Sequence, residues 1–195
     1  GDMDVSRRLA ETWPELKAAS LDKREALERW KARLSREMLA QADPSAGRAV
    51  FQRTCMNCHT LYGEGAKIGP DLTGSQRTNR DYLLENLIDP SAMVGSDYRM
   101  SSVALADGRV LDGLIAERTP RTLTIQTPTE RLTVPLDEVE QVKSTGLSLM
   151  PEGQLELLTA AQARDLIAYL MSAEQVSRKA NASDVAKPGA ARGKD

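Results

Sequence analysis

The sequence predicts an α+β protein, a mainly helical unit with a small β-sheet or partly closed β-barrel set into it. Apolar residues recur at helical spacing in "SAGRAVFQRT", "RDYLLENLI" and "AAQARDLIAYL", whereas residues 101–144 alternate and are rich in β-branched side chains. Length agrees, because 195 residues suit one domain or one domain carrying a large insert.

The elements follow in chain order. Residues 1–42 read as an N-terminal helical extension, charged and helical over 5–41. Pro14 and the "AASLD" step predict two helices broken near Ser20. Leu27, Trp30, Leu34 and Met38 fall at spacings of three and four and form one stripe. That stripe packs on the rest of the chain or ends an upstream helical domain. The run "DKREALERWKARLSRE" is a solvated face with i,i+4 pairs. Asp43 caps the next helix and Pro44 fits its first turn. Gly47, Val50 and Phe51 share a face of it, either as ordinary core or with Gly47 allowing a close helix crossing. The glycines of "GEGAKIGPDLTG" predict a loop of tight turns. In "RDYLLENLIDP", Leu83, Leu84, Leu87 and Ile88 form an apolar stripe and Pro90 ends the helix.

Residues 101–144 change period. Val103 and Leu105 share a face, as do Leu123 and Ile125, and Leu132 and Val134. Asp107-Gly108 is a hairpin turn, and breaks near Pro120 and Thr127-Pro128 give four or five short strands. After them, Thr159-x-x-Gln162 reads as a capping box. Leu166, Ile167 and Leu170 make the buried face of the last helix, with Tyr169 packing near Gly47. Residues 174–195 form a tail, dominated from about Ser177 by Ala, Lys, Gly and Asp, that should be disordered.

Composition removes several function classes. A net charge of -2 argues against nucleic-acid binding, which wants a basic face. No apolar run approaches the length needed to cross a bilayer. "GDMDVSRRL" is no signal peptide; it reads as a cloning scar or a cut inside a longer protein, so it says nothing about export. One Phe, two Trp and four Tyr are few, so the core is aliphatic or filled by something else.

Both cysteines and the single histidine fall within Cys55-Met-Asn-Cys58-His59. Two cysteines so close cannot staple distant parts of a fold. Structural zinc needs four ligands, and this chain offers three of the Cys or His type. A thioredoxin-like pair needs a strand-to-helix junction in a βαβ unit, but a helical pattern precedes this one and no βαβ follows. A covalent haem anchor uses all three residues together. Two thiols on one short turn form thioethers with haem, and His59 lies under the ring as an iron ligand. The Pro70 carbonyl is free to accept from His59 Nδ1–H, the kind of partner that fixes a metal-bound imidazole.

A methionine thioether suits the other side of haem iron and raises its potential. Of seven methionines, Met38 and Met171 lie on helices and read as packing, Met3 lies in a loose terminus, and Met56 is inside the cysteine turn on the wrong side of iron. Met93, Met100 and Met150 are loop residues. Met150, before Pro151 and upstream of the last helix, is the leading candidate, with core packing as its plain alternative.

With Gly47-x-x-x-Phe51, Cys55-x-x-Cys58-His59, Gly69-Pro70-x-Leu72-x-Gly74, Met150-Pro151 and a final helix ending Tyr169-Leu170, the chain resembles class I cytochrome c over about residues 43–173. In "LLENLIDPSAMV", "ADGRVLDGLI" and "SLMPEG" it resembles more narrowly the C-terminal haem-binding domain of large secreted, dehydrogenase-like proteins of planctomycetes and verrucomicrobia, which often carry a sugar-dehydrogenase-like propeller and helical repeats upstream. The resemblance implies Met150 as sixth ligand and a hydrogen bond from His59 to the Pro70 carbonyl. It also implies a haem domain made of residues 43–100 and 145–173, roughly 87 in all, with residues 101–144 as an inserted β subdomain. The insert either covers one haem edge or serves as a docking surface. Its hairpin has a weak likeness to small SH3-like or Sm-like barrels.

The expected function is single-electron transfer through one covalent haem c with His59 and Met150 on iron, with no catalytic residues. Expected partners are a sugar- or alcohol-type dehydrogenase as donor and a cytochrome or oxidase as acceptor, in the periplasm or another extracytoplasmic space. Arg77, Asn79 and Tyr98 are assigned to the haem propionates, which need donors when partly buried; the plain alternative for each is an ordinary surface residue. Two rivals remain. A haem sensor or peroxidase-like enzyme would need an open distal site, though the chain has no second histidine to serve there. An interaction module would work through the β insert.

Overall fold

A computed structural model describes residues 14–177 of the chain. The expected helix over residues 5–13, the terminal Met3 and the tail beyond Ser177 lie outside the described residues.

The first helix, α1 (Pro14–Arg33), runs without a break through Ser20. This corrects the expected interruption. Pro14 occupies the first turn, where a missing N–H leaves no bond unmade, and two alanines before Ser20 favour helix. The break comes at Leu34–Ser35 instead. Ser35 caps a short helix, α2 (Arg36–Leu39), its hydroxyl accepting the Met38 N–H. That break changes the phase of the apolar stripe. Trp30 and Leu34 are buried, Leu27 packs beside them, and Met38 is 41% exposed. Met38 is therefore not a packing residue.

Helix α3 (Pro44–Thr54) starts at Asp43, whose carboxylate accepts the N–H groups of Ser45 and Ala46. A two-stranded ribbon follows, β1 (Thr60–Leu61) and β2 (Glu64–Gly65). Its turn is Tyr62-Gly63, with φ of 52° and 77°, the positive values that a tight two-residue hairpin demands. Helix α4 (Arg80–Ile88) begins at Asn79, whose side chain accepts from the Asp81 and Tyr82 N–H groups.

Five strands follow: β3 (Arg99–Leu105), β4 (Val110–Arg118), β5 (Thr122–Gln126), β6 (Arg131–Pro135) and β7 (Val139–Ser148). They pair antiparallel in the order β6-β5-β4-β3-β7. Of the two expected forms the pairing gives an open sheet, with β6 and β7 at its edges. The sheet has its own small core of Val103, Leu105, Leu123, Ile125 and Val134. Leu132, expected beside Val134, is only half-buried.

The last helix, α5 (Ala160–Leu170), crosses α3. The capping box is complete: Thr159 Oγ1 accepts the Gln162 N–H at 3.2 Å, and Gln162 Oε1 accepts the Thr159 N–H at 2.9 Å. Thr159→Ala removes one half of this box and is expected to cost about 1 kcal/mol in urea unfolding; an unchanged midpoint and slope would show that the cap contributes nothing. The main core joins α1, α3, α4 and α5 through Trp30, Leu34, Phe51, Leu84, Ile167 and Tyr169. Glu174–Ser177, assigned to the tail from sequence, continue onto α3 instead. Arg48 Nη1 donates to the Val176 carbonyl and the Tyr169 hydroxyl donates to Gln175 Oε1 at 2.9 Å.

Candidate functional site

The end of α3 delivers the cysteine turn. Cys55 is the residue that closes the helix, its N–H donating to the Phe51 carbonyl. The Cys58 and His59 N–H groups both turn back to the Cys55 carbonyl, at 3.0 and 2.9 Å. One helical turn thus holds both sulfurs and starts His59 outward. Both thiols are free and half-buried. Burial pushes the Cys55 thiol above its ordinary range, against the lowering effect of the Thr54 hydroxyl 3.2 Å away. A dithiol redox centre works the other way, with its nucleophile at a helix N-terminus and its pKa depressed. Among the described residues no three His, Cys, Asp or Glu side chains converge in a metal-binding group.

His59 is set by the loop that follows. Its Nδ1 lies 3.0 Å from the Pro70 carbonyl oxygen. A carbonyl can only accept, so the contact requires the proton on Nδ1 and leaves the Nε2 lone pair free for a metal. Gly69 makes room for the ring. A Cβ there would lie 2.7 Å from His59 Cε1 and 2.9 Å from Nδ1. The Gly69 N–H donates to the Cys58 carbonyl at 2.7 Å and the Leu72 N–H to the Thr60 carbonyl at 2.8 Å, which bind this loop to the cysteine turn. Gly65 serves the same packing, since a Cβ there would fall 2.1 Å from the His59 carbonyl oxygen.

Cys55, Met56, Leu72 and Met150 all pack, half-buried, against the main core. The other loop methionines differ. Met93 is 85% exposed, and Met100 lies half-buried within β3 rather than in a loop. Met171 closes α5 and packs against the core.

The three residues assigned to propionates are scattered in role. Arg77 is buried, not on the surface. Its guanidinium donates to the carbonyls of Thr73 (3.3 Å), Leu170 (2.9 Å) and Ser172, and lies 4.8 Å from the centre of the Tyr62 ring. Asn79 spends its side-chain oxygen on the α4 cap. Tyr98 is half-buried at the end of the short 3-10 turn Ser96–Tyr98.

Sequence reasoning missed the clamp that Arg77 forms with Tyr62, whose hydroxyl also donates to the Ser172 carbonyl. It missed Ser148, whose Oγ accepts the Met150 N–H at 3.1 Å. A serine two residues before the methionine was a readable sign of such a turn. It also missed Arg48, buried and donating through Nη2 to both Glu64 oxygens at 2.8 and 2.7 Å, which ties α3 to the ribbon after the cysteine turn.

Two free thiols on one turn, an imidazole held by its Nδ1, and a glycine cradle where any side chain would strike that ring together fit a covalently attached haem. Residues 44–102 match the family model Cytochrome c. Domains of this family carry covalently bound haem c and are generally electron carriers rather than enzymes, with redox proteins as partners and an extracytoplasmic setting as the usual one. The matched residues end well before Met150. A comparison with curated proteins returns no match. No helix among the described residues is long and apolar enough to cross a membrane.

Proposed function

We propose that this chain is a single-electron carrier. The observation that carries the reading is the imidazole of His59, fixed on the Pro70 carbonyl at 3.0 Å and placed directly after two free thiols on one turn. Cys55 and Cys58 would hold one haem c through thioethers, and His59 Nε2 and the Met150 sulfur would ligate its iron. When bound, the haem supplies a ferrous/ferric couple, whose potential a methionine ligand raises. The chain's own residues orient the imidazole, hold its proton on Nδ1 and keep Met150 against the core. Asn79 and Tyr98 are the nearest to free donors for the propionates, while Arg77 fixes the end of α5.

The donor we propose is a sugar- or alcohol-type dehydrogenase and the acceptor a second cytochrome or an oxidase, in the periplasm or another extracytoplasmic space. Supporting this is the sequence likeness to the C-terminal haem domains of secreted planctomycete and verrucomicrobial proteins.

The test is the optical spectrum of oxidised and reduced protein with carbon monoxide, for wild type and Met150→Ala. The expected result is a low-spin wild type that ignores the gas, and a variant that loses the weak far-red methionine band and binds it. Ready gas binding by wild type would replace the carrier with a sensor or peroxidase-like reading.

A further inference from the structure

The segment carrying Met150 is tied down on both flanks to one short stretch of chain. On the near side, the N–H of Ser148, the last residue of β7, donates to Ser91 Oγ at 3.1 Å. The Ser148 hydroxyl oxygen in turn accepts the Met150 N–H at 3.1 Å. On the far side, Lys23 Nζ donates to Glu152 Oε1 at 2.7 Å and to Asp89 Oδ1 at 2.8 Å. Asp89 closes α4 and Ser91 follows it by two residues. Residues 148, 150 and 152 are therefore all held, directly or through one intermediate, by Asp89, Ser91 and Lys23. Further along, Trp30 Nε1 donates to Glu156 Oε1 at 3.0 Å and repeats the link from α1.

We propose that Ser91 and Lys23 are positioning residues for Met150, restraining its loop so that the thioether stays at the haem. The proposal rests on the reading of Met150 as the sixth ligand. Its physical basis is preorganisation. A ligand on a slack loop must lose conformational freedom each time it binds, and a tethered one has already lost it. The device would also make α1, which lies outside the residues matched to the family, part of the distal haem environment. Opening the Lys23 bridge would then loosen the sixth ligand without any change at iron itself.

The test uses the haem-loaded protein in five forms: wild type, Ser91→Ala, Ser91→Thr, Lys23→Met and Met150→Ala. Three readouts are compared, namely carbon monoxide binding to the reduced form, the far-red band of the oxidised form, and amide hydrogen exchange at Ser148 and Met150. Ser91→Ala is expected to strengthen gas binding by roughly three- to ten-fold, the worth of one such hydrogen bond, and to speed exchange at the Ser148 amide. Ser91→Thr, which keeps the hydroxyl, should restore wild-type values. Lys23→Met should strengthen gas binding in the same direction. If Met150→Ala opens the site but Ser91→Ala and Lys23→Met bind the gas like wild type, the tether is overturned and the ligand stands. A lowered unfolding midpoint with unchanged gas binding overturns the tether equally, because a merely structural role would produce it. If Met150→Ala leaves the spectrum as it was, the ligand assignment falls and the tether with it.

Discussion

Replacing Gly47 by alanine is expected to lower the unfolding free energy by roughly 2 kcal/mol. In an ordinary exposed helix the same change would stabilise by about 1 kcal/mol. Here the added Cβ would sit 1.9 Å from the Asp165 carbonyl oxygen and 2.8 Å from Tyr169 Cβ. The first of these is backbone of α5, so no rotamer change relieves it, and the two helices must separate. Their crossing is where the Phe51 and Tyr169 rings meet, with centroids 5.6 Å apart. The separation therefore loosens the middle of the main core, and overpacking outweighs propensity. Gly74→Ala is the matched control, since a Cβ there meets nothing within 4 Å. Chemical denaturation of both variants checks the expectation, and equal stability would mean that α3 and α5 have room to part at little cost.

Gly69→Ala is expected to have the largest effect on the site itself. Its Cβ would press on the His59 ring at Cε1 and Nδ1, the edge that faces the Pro70 carbonyl. The ring must tilt, and the Nδ1–H bond that sets its orientation is lost or stretched. Removing such a partner from a metal-bound imidazole typically costs 10- to 100-fold in metal affinity or activity, so a loss on the order of ten-fold or more in the affinity of His59 for iron is expected. It should appear as high-spin haem in the optical spectrum and a poor yield of haem-loaded protein. A low-spin spectrum equal to wild type in shape and yield would show that the imidazole is not the group Gly69 makes room for.

What could be read before folding was mostly local. Cys55, Cys58 and His59 are neighbours in the chain, and a helical turn brings them together whatever the rest does. The caps at Asp43 and Thr159 are likewise short-range chemistry, and the alternation of Val103 with Leu105 survives in any sheet that buries one face. The errors came where helix phase had to be carried across a break. Leu34 and Met38 are four apart, but Ser35 starts a new helix between them, so the stripe stops at Leu34. Ser20 misled for the opposite reason: a residue with a taste for caps sits harmlessly within a helix that alanines and tertiary packing sustain. The long-range ties were beyond any local pattern. Nothing adjacent to Arg77 announces the carbonyls of Leu170 and Ser172, and nothing near Ser91 announces Ser148. Those pairings exist only once α5 and β7 have returned to the stretch that carries Arg77 and Ser91.

The sheet has a consequence for how such a chain can vary. His59 and Met150 are about 90 positions apart, and joining two distant points of a flexible chain costs entropy that rises with the logarithm of the span. Arg99 and Ser148 are register partners across β3 and β7. Once the sheet has formed, its ends are side by side, and the remaining contour from His59 to Met150 is roughly 40 residues. Halving a loop in this way changes the closure entropy by only about 0.6 kcal/mol. The pairing of His59 with Met150 that we propose is thus nearly indifferent to how much chain is threaded through this point, and sensitive only to whether the two ends return to the same place. The sheet is joined to the rest of the chain as through a socket, whose stem is the paired residues Arg99 and Ser148.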